Sequence, residues 1–159
     1  MLVYHGSLDK IIFPKILYPV RTLDYGAGFY TTTSFEQARR WVMRKLTRDR
    51  AIGYVNVYNW DKHIKSLRIC KFHIPDKTWV EFVMKNRLDR NYMHGYDVVW
   101  GPVANDRVYA AFALYEQGIL DIDTLIKELR TYKLVDQILF HTEQALNTLD
   151  FKESKEIVL

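Results

Sequence analysis

The chain has 159 residues, of which 48% are hydrophobic, 26% are charged and 14% are aromatic. The hydrophobic and charged shares are typical of a globular protein with a buried core, the aromatic share is high, and we predict a single domain over residues 1–159. Cys70 is the only cysteine, which excludes an intramolecular disulfide and a cysteine-rich zinc cluster. The N-terminal segment lacks a signal-peptide pattern, and no run approaches the roughly 18 apolar residues of a membrane span. We therefore expect a cytoplasmic protein with no membrane partner.

The formal net charge of +4 is concentrated in one segment. Residues 34–50 contain six basic side chains against only Glu36 and Asp49. The basic residues are Arg39, Arg40, Arg44, Lys45, Arg48 and Arg50. Such a cluster is either the solvated face of a helix or a surface that attracts phosphate, on a cofactor or on a nucleic acid.

In chain order, "MLVYH" predicts a short first strand, followed by an irregular segment broken by Pro14 and Pro19. "FYTTT" is β-branched and aromatic and predicts a second strand. Ser34 with Gln37 three residues later matches a capping box, so we expect a helix directly after this strand. Its apolar positions recur at helical spacing, at Phe35, Ala38, Val42 and Leu46.

The sequence from residue 51 onward predicts a mixture of strands and short helices. "AIGYVNVYNW" and "SLRICKFHI" read as strands joined by a polar turn near Asp61 and Lys62, and "DKTWVEFVMKNR" as a helix after Pro75. "YDVVWGPV" predicts a buried strand, "NDRVYAAFALYEQG" a helix that stops at Gly118, and "DIDTLIKELRTYK" another helix. "DQILFH" is a late strand, "TEQALNTLDF" a helix and "KEIVL" an edge strand. Because strands and helices do not alternate regularly as in βαβ units, this order of elements favours an α+β fold.

The common catalytic motifs are missing from the sequence. It contains no GxxxxGK[ST], no GxGxxG that opens a helix, no HExxH and no GxSxG. The pair His5–Gly6 at the end of the first strand is more informative, because glycine lets a ligand approach the backbone beside an imidazole. None of the other histidines has a second histidine at i+3 or i+4, and we predict no metal site.

Three segments in this order resemble a known family. "YHGS" on the first strand, "GAGFYTTTS" on the second strand with a helix directly after it, and a polar residue that opens a late strand resemble the diphtheria-toxin-like, H-Y-E type ADP-ribosyltransferases. More closely, "YHGS", "DYGAGFYTTT.FEQA..W", "YDVVWGPVANDRV" and "DQILFHTEQAL" are similar to a family of small bacterial proteins of this fold. Those proteins are often encoded as a toxin beside a short antitoxin.

The resemblance implies two packed antiparallel or mixed sheets, with NAD held in a cleft between them and short helices at the flanks. It implies that NAD is bound by His5, Gly6, Ser7, Gly28, Tyr30 and Arg40. In this family the backbone after the histidine bonds the nicotinamide amide, the histidine bonds the adenosine-side ribose, and the tyrosine stacks on the nicotinamide ring. In this chain His5, Gly6 and Tyr30 would have these roles, and Arg39 or Arg40 could reach an NAD phosphate.

The third catalytic position departs from the family pattern. The usual residue is a glutamate that opens a late strand, whereas the alignment of "DQILFH" puts Gln137 there. A glutamine amide can hold a ribose hydroxyl, but it carries no charge and cannot act as a base. This favours transfer of a single ADP-ribose unit over chain formation. Asp136 and Glu143 lie nearby, with Asp136 expected on the opposite side of its strand. Asn105 and Asp106 either line the cleft or cap a helix.

The leading hypothesis is an NAD-dependent mono-ADP-ribosyltransferase, a bacterial toxin that modifies a protein or nucleic acid and is paired with an antitoxin. His5, Tyr30 and Gln137 would be its catalytic residues. A second hypothesis is a non-catalytic module that binds NAD or RNA. A third is an RNA-cleaving toxin of unrelated mechanism, which leaves the glycine-tyrosine turn unexplained.

Overall fold

The computed structural model describes residues 1–104, 106–132 and 134–159 and has an α+β architecture. In chain order its elements are β1 (Leu2–Ser7), β2 (Phe29–Thr31), α1 (Phe35–Lys45), β3 (Ile52–Trp60), β4 (Ile69–Lys71), α2 (Lys77–Leu88), β5 (Val98–Pro102), α3 (Asp106–Glu116), α4 (Ile122–Arg130), β6 (Asp136–Phe140), α5 (Glu143–Leu146) and β7 (Leu149–Val158). None of the helices in the described part of the chain combines the length and the apolar character needed to cross a membrane.

The strands form two sheets. The first has the order β1-β3-β7 and is antiparallel throughout, whereas the second has the order β2-β6-β5-β4 and is mixed, because β4 runs parallel to β5. Among the described residues, one isolated bridge connects the two sheets, between Tyr4 of β1 and Thr32 just after β2. The predicted arrangement of two antiparallel or mixed sheets with short flanking helices agrees with this description.

In the described part of the chain, three apolar clusters separate four layers, which are α1, the first sheet, the second sheet and the group α2, α3 and α4. Between the two sheets lies a cluster that includes Val3, Tyr58, Trp60, Ile138 and Phe140. A second cluster covers the other face of the second sheet with α2, α3 and α4; it includes Trp79, Phe112, Leu125, Leu129 and Leu139. A third, smaller cluster packs α1 against the outer face of the first sheet.

Helix α1 begins where the sequence predicts. The Ser34 side chain accepts a hydrogen bond from the backbone N–H of Gln37, and Ala38 and Val42 are buried. The reciprocal half of the predicted capping box is absent from the described contacts, because the Gln37 side chain donates instead to the carbonyl oxygen of Asp136 at 3.3 Å. This contact ties the start of α1 to β6.

Two element predictions were wrong. The "SLRICKFHI" segment does not form a hairpin with β3: only Ile69–Lys71 is a strand, and it lies in the other sheet beside β5. The predicted C-terminal helix stops at Leu146, and β7 begins at Leu149, well before the predicted "KEIVL" strand. The reason is tertiary, because β3 runs for nine residues and pairs with β7 along its whole length.

Candidate active site

The two sheets part immediately beyond the Tyr4–Thr32 bridge. Each residue of this bridge donates its backbone N–H to the other's carbonyl oxygen, at 2.8 and 3.0 Å. Continued antiparallel pairing would place Gly6 opposite Tyr30. Instead, the His5 side chain lies between the diverging strands, with Nδ1 2.6 Å from the carbonyl oxygen of Tyr30. The first and second strands are therefore joined here through an imidazole.

His5 is held as a neutral ring. It stacks on Phe29, with the ring centroids 4.2 Å apart. Burial lowers the pKa of His5 from its ordinary value of 6.5 to about 4, although the hydrogen bond to Tyr30 works in the opposite direction. Because Nδ1 faces a carbonyl oxygen, it carries the proton, and Nε2 keeps a lone pair that can accept a hydrogen bond from a hydroxyl.

Gly6 is required by packing. A Cβ atom at this position would lie 2.5 Å from the carbonyl oxygen of Ala38, so only glycine lets α1 approach β1 this closely. Backbone groups alternate sides along a strand, and those of Tyr4 point away from β3 to meet Thr32. The N–H and C=O of Gly6 therefore also point away from β3, toward the place where the sheets separate. Ser7 is buried, and its Oγ accepts a hydrogen bond from the N–H of Asp9 at 3.1 Å.

The Tyr30 phenol is enclosed by the glycine turn that precedes it. Its hydroxyl donates to the carbonyl oxygen of Gly26 at 2.7 Å and accepts from the N–H of Tyr25 at 3.2 Å. Burial raises the pKa of Tyr30 well above its ordinary value, so the ring is uncharged. Gly28 has a φ of 149°, and a Cβ there would lie 2.4 Å from the Leu139 side chain. The two glycines thus hold the turn against β6 and around the Tyr30 ring.

Gln137 lies on the same face of the second sheet as Tyr30. Tyr30 is directly opposite Leu139, and Gln137 is two residues away on the same strand. Its side chain is buried, and Nε2 lies 3.4 Å from Asp24 Oδ2 and 3.5 Å from the carbonyl oxygen of Pro102. The structure thus joins His5 to the Tyr30 backbone, and it places Gln137 on the face of the second sheet that carries the Tyr30 side chain.

The neighbouring Asp136 has a structural role. Its carboxylate accepts hydrogen bonds from Thr32 Oγ1, from the N–H and Oγ1 of Thr33, and from Trp100 Nε1, at 2.8 to 3.0 Å. These four donors saturate the group and tie the end of β2 to the second sheet. Asp136 is therefore unsuited to act as a base, in agreement with its expected position on the other side of the strand from Gln137.

The structure does not bring Arg40 into contact with this group. Arg40 Nε lies 3.0 Å from Glu36 Oε1, and 73% of its side chain is exposed. Arg39 pairs with the same carboxylate at 2.8 Å. In the described contacts, the start of the basic helix is a solvated face on which two arginines share one glutamate.

Sequence reasoning missed a buried acid in this neighbourhood. Asp24 is only 7% exposed and faces Gln137, Arg87 and Tyr109. The available signal was the acid directly before the glycine turn in "LDYG", whereas the arginine and tyrosine come from distant segments. The predicted roles of Asn105 and of the Asp106 side chain fall outside the described residues.

Comparison with known proteins identifies a family. Residues 1–151 match a family described as "Protein of unknown function (DUF3990)". No curated protein and no solved structure matches the chain. Since the match covers nearly all of the sequence, the chain belongs to the DUF3990 family.

Proposed function

We propose that this protein is an NAD-dependent mono-ADP-ribosyltransferase with an ADP-ribosyltransferase-like fold. It is a cytoplasmic bacterial toxin that is neutralised by an antitoxin protein and that transfers one ADP-ribose unit to a protein or nucleic-acid acceptor. The observation that carries the proposal is the hydrogen bond from His5 Nδ1 to the Tyr30 carbonyl oxygen, at the point where the two sheets part. His5 and Tyr30 belong to separate sequence motifs, lie 25 positions apart in the chain and meet at this point.

The chemistry of the residues fits NAD. The neutral His5 ring offers Nε2 as an acceptor for a ribose hydroxyl, and the backbone of Gly6 offers one donor and one acceptor, which matches a carboxamide. Tyr30 supplies an uncharged aromatic face, which is suited to the cationic nicotinamide ring. Gln137 supplies an amide for the second ribose. Ser7 and Gly28 contribute by shaping the backbone on either side of these groups.

The transfer step requires little from the protein beyond position and charge. The bond between ribose C1′ and the nicotinamide nitrogen breaks, and its electron pair stays with nicotinamide. A heteroatom of the acceptor forms the new bond to C1′ and releases its proton to water. Groups that stabilise the developing positive charge on the ribose lower the barrier, and Gln137 is the residue that would meet the ribose.

The test is nicotinamide release from NAD by the purified protein, with and without cell lysate as a source of acceptor. Wild type should release nicotinamide, and the rate should rise with lysate. Tyr30→Ala and Gln137→Ala should each lower the rate at least tenfold. Absence of release together with measurable NAD binding would contradict the proposal and favour the non-catalytic NAD-binding module, for which the uncharged Gln137 is the supporting observation.

A further inference from the structure

Asp24 is a buried carboxylate in direct contact with Gln137. Only 7% of Asp24 is exposed, and its Oδ2 atom lies 3.4 Å from Gln137 Nε2. The same nitrogen faces the Pro102 carbonyl oxygen at 3.5 Å. Since both neighbours are acceptors, they fix which end of the amide is the NH₂ group. The amide oxygen of Gln137 consequently points away from Asp24.

The other groups that face Asp24 come from two helices and a loop. Arg87 on α2 places Nη1 3.7 Å from Oδ1, and the Tyr109 hydroxyl on α3 lies 3.4 Å from both carboxylate oxygens. The Arg87 guanidinium is itself held over the Tyr109 ring, 4.4 Å from its centroid. The backbone of Ala104 also hydrogen-bonds the carboxylate. Asp24 is therefore held from several sides within the fold.

Burial is the largest influence on the ionisation of this group. It raises the pKa of Asp24 above its ordinary value, and Arg87, Gln137, Tyr109 and the Ala104 backbone each pull in the opposite direction. A carboxylate kept in such surroundings exerts a strong field on neighbouring dipoles, because little water is present to screen it. One such dipole is the Gln137 amide, which lies 3.4 Å from Asp24 on the Tyr30 face of the sheet.

We propose that Asp24 is the positioning residue of this site: its carboxylate orients and polarises the Gln137 amide and so supplies the negative charge that glutamine lacks. This inference rests on the proposed transferase function. A carboxylate at the NH₂ end of an amide draws electron density toward the oxygen end, which strengthens that oxygen as an acceptor for a ribose hydroxyl. The charge reaches the ribose through Gln137, while Asp24 itself exchanges no proton.

A charge exchange between the two positions tests the proposal. The variants are Asp24→Asn, Gln137→Glu and the double variant, each assayed for kcat and KM of nicotinamide release. Asp24→Asn should lower kcat about 100-fold, the cost typical of removing one electrostatic contribution to a transition state, with KM for NAD changed by no more than about twofold. The double variant again has one carboxylate in the pair of positions 24 and 137. Its kcat should be at least tenfold higher than that of Asp24→Asn.

The single Gln137→Glu variant has a distinct signature. It puts two carboxyl groups side by side, so one of them should stay protonated to a higher pH. The pH profile of kcat should then gain a limb at higher pH that is absent from wild type and from the double variant. Asp97→Asn is the matched control. Asp97 is equally buried but pairs with Arg68 and Thr142, and kcat should be unchanged in that variant.

A spectroscopic measurement tests the coupling without any reaction. In ¹⁵N-labelled wild type, the side-chain NH₂ resonances of Gln137, assigned by their loss in Gln137→Glu, should titrate with a midpoint above the roughly 3.9 of an unperturbed aspartate. The titration should vanish in Asp24→Asn. A Gln137 resonance that does not respond to Asp24, a wild-type kcat in Asp24→Asn, or a double variant no better than Asp24→Asn would each overturn the inference. If wild type releases no nicotinamide, the proposed function fails, while the resonances still report whether Asp24 polarises Gln137.

Discussion

His5 Nδ1 lies 2.6 Å from the carbonyl oxygen of Tyr30 and takes the place of the backbone pairing that would otherwise continue between β1 and β2. An imidazole in this position must remain neutral, because its protonated form loses hydration as the ring is buried. The stability of the fold and the state of the candidate site are therefore linked through one titrating group.

This link predicts a pH dependence of stability. The pKa of His5 is lowered to about 4 in the folded chain, while in the unfolded chain it returns to about 6.5. Between these values the unfolded chain binds more protons, so the free energy of unfolding falls as the pH is lowered from 6.5 toward 4, by up to about 3 kcal/mol. Urea unfolding at pH 7 and pH 4.5 measures the effect.

The control is His5→Gln, which keeps a side-chain donor near the Tyr30 carbonyl but cannot titrate. The pKa of His94 is also lowered by burial, and His94 is present in both proteins. The difference in acid sensitivity between wild type and His5→Gln therefore isolates His5. Equal loss of stability on acidification in both proteins would contradict the prediction.

Gly6→Ala should destabilise the fold by about 1 to 3 kcal/mol. The added Cβ would meet the Ala38 carbonyl oxygen at 2.5 Å, and that oxygen belongs to the backbone of α1. Gly95→Ala is the matched control, because its Cβ would meet only the end of the Arg68 side chain, at 3.5 Å. Chemical unfolding of the two variants should separate them clearly, and similar midpoints would argue against close packing of α1 on β1.

Asp136→Ala should lower the free energy of unfolding by about 2 kcal/mol, because it leaves four donors without their shared acceptor. Among the described hydrogen bonds, the exposed side chain of Asp150 on β7 has only Lys152 as a partner, and Asp150→Ala should have little effect. Thermal and urea unfolding provide the comparison. An Asp136→Ala protein as stable as wild type would show that the carboxylate is not needed to tie β2 to the second sheet.

Arg40 should affect NAD affinity only after it leaves Glu36. We expect Arg40→Ala to raise KM for NAD about threefold with little change in kcat, and Glu36→Gln to lower KM by a similar factor, with both effects fading at high salt. Steady-state assays at two salt concentrations measure this. An unchanged KM in both variants would assign the start of α1 to the solvated surface and remove Arg40 from the NAD-binding set.

Local sequence patterns predicted those helices and strands well whose ends are set by interactions between residues close in sequence. The Ser34 cap and the buried face of α1 depend on neighbours within one or two helical turns, so the sequence contains the information for them. The lengths of β4 and β7 depend on which distant strand pairs with them, and both were predicted wrongly. The same difference between local and long-range information applies to the residues of the candidate site.

His5, Gly6 and Tyr30 stand in segments that resemble a known family, and this resemblance singled them out. Asp24 precedes Gln137 by 113 residues, and nothing in its own segment indicates that it is buried or which side chains face it. Its surroundings arise only when β6, α2 and α3 are packed together. A lone aspartate before a glycine turn more commonly serves a turn, so a single sequence cannot rank it as a site residue.

The pairing of β2 with β6 has a consequence for how the protein is made. Thr31 and Ile138 are 107 residues apart, and strands so distant must close a long loop before they gain any contact. His5 and Tyr30 are synthesised long before Gln137 and the strand that carries it. A growing chain therefore holds His5 and Tyr30 without Gln137, and the candidate site cannot assemble before β6 has been synthesised.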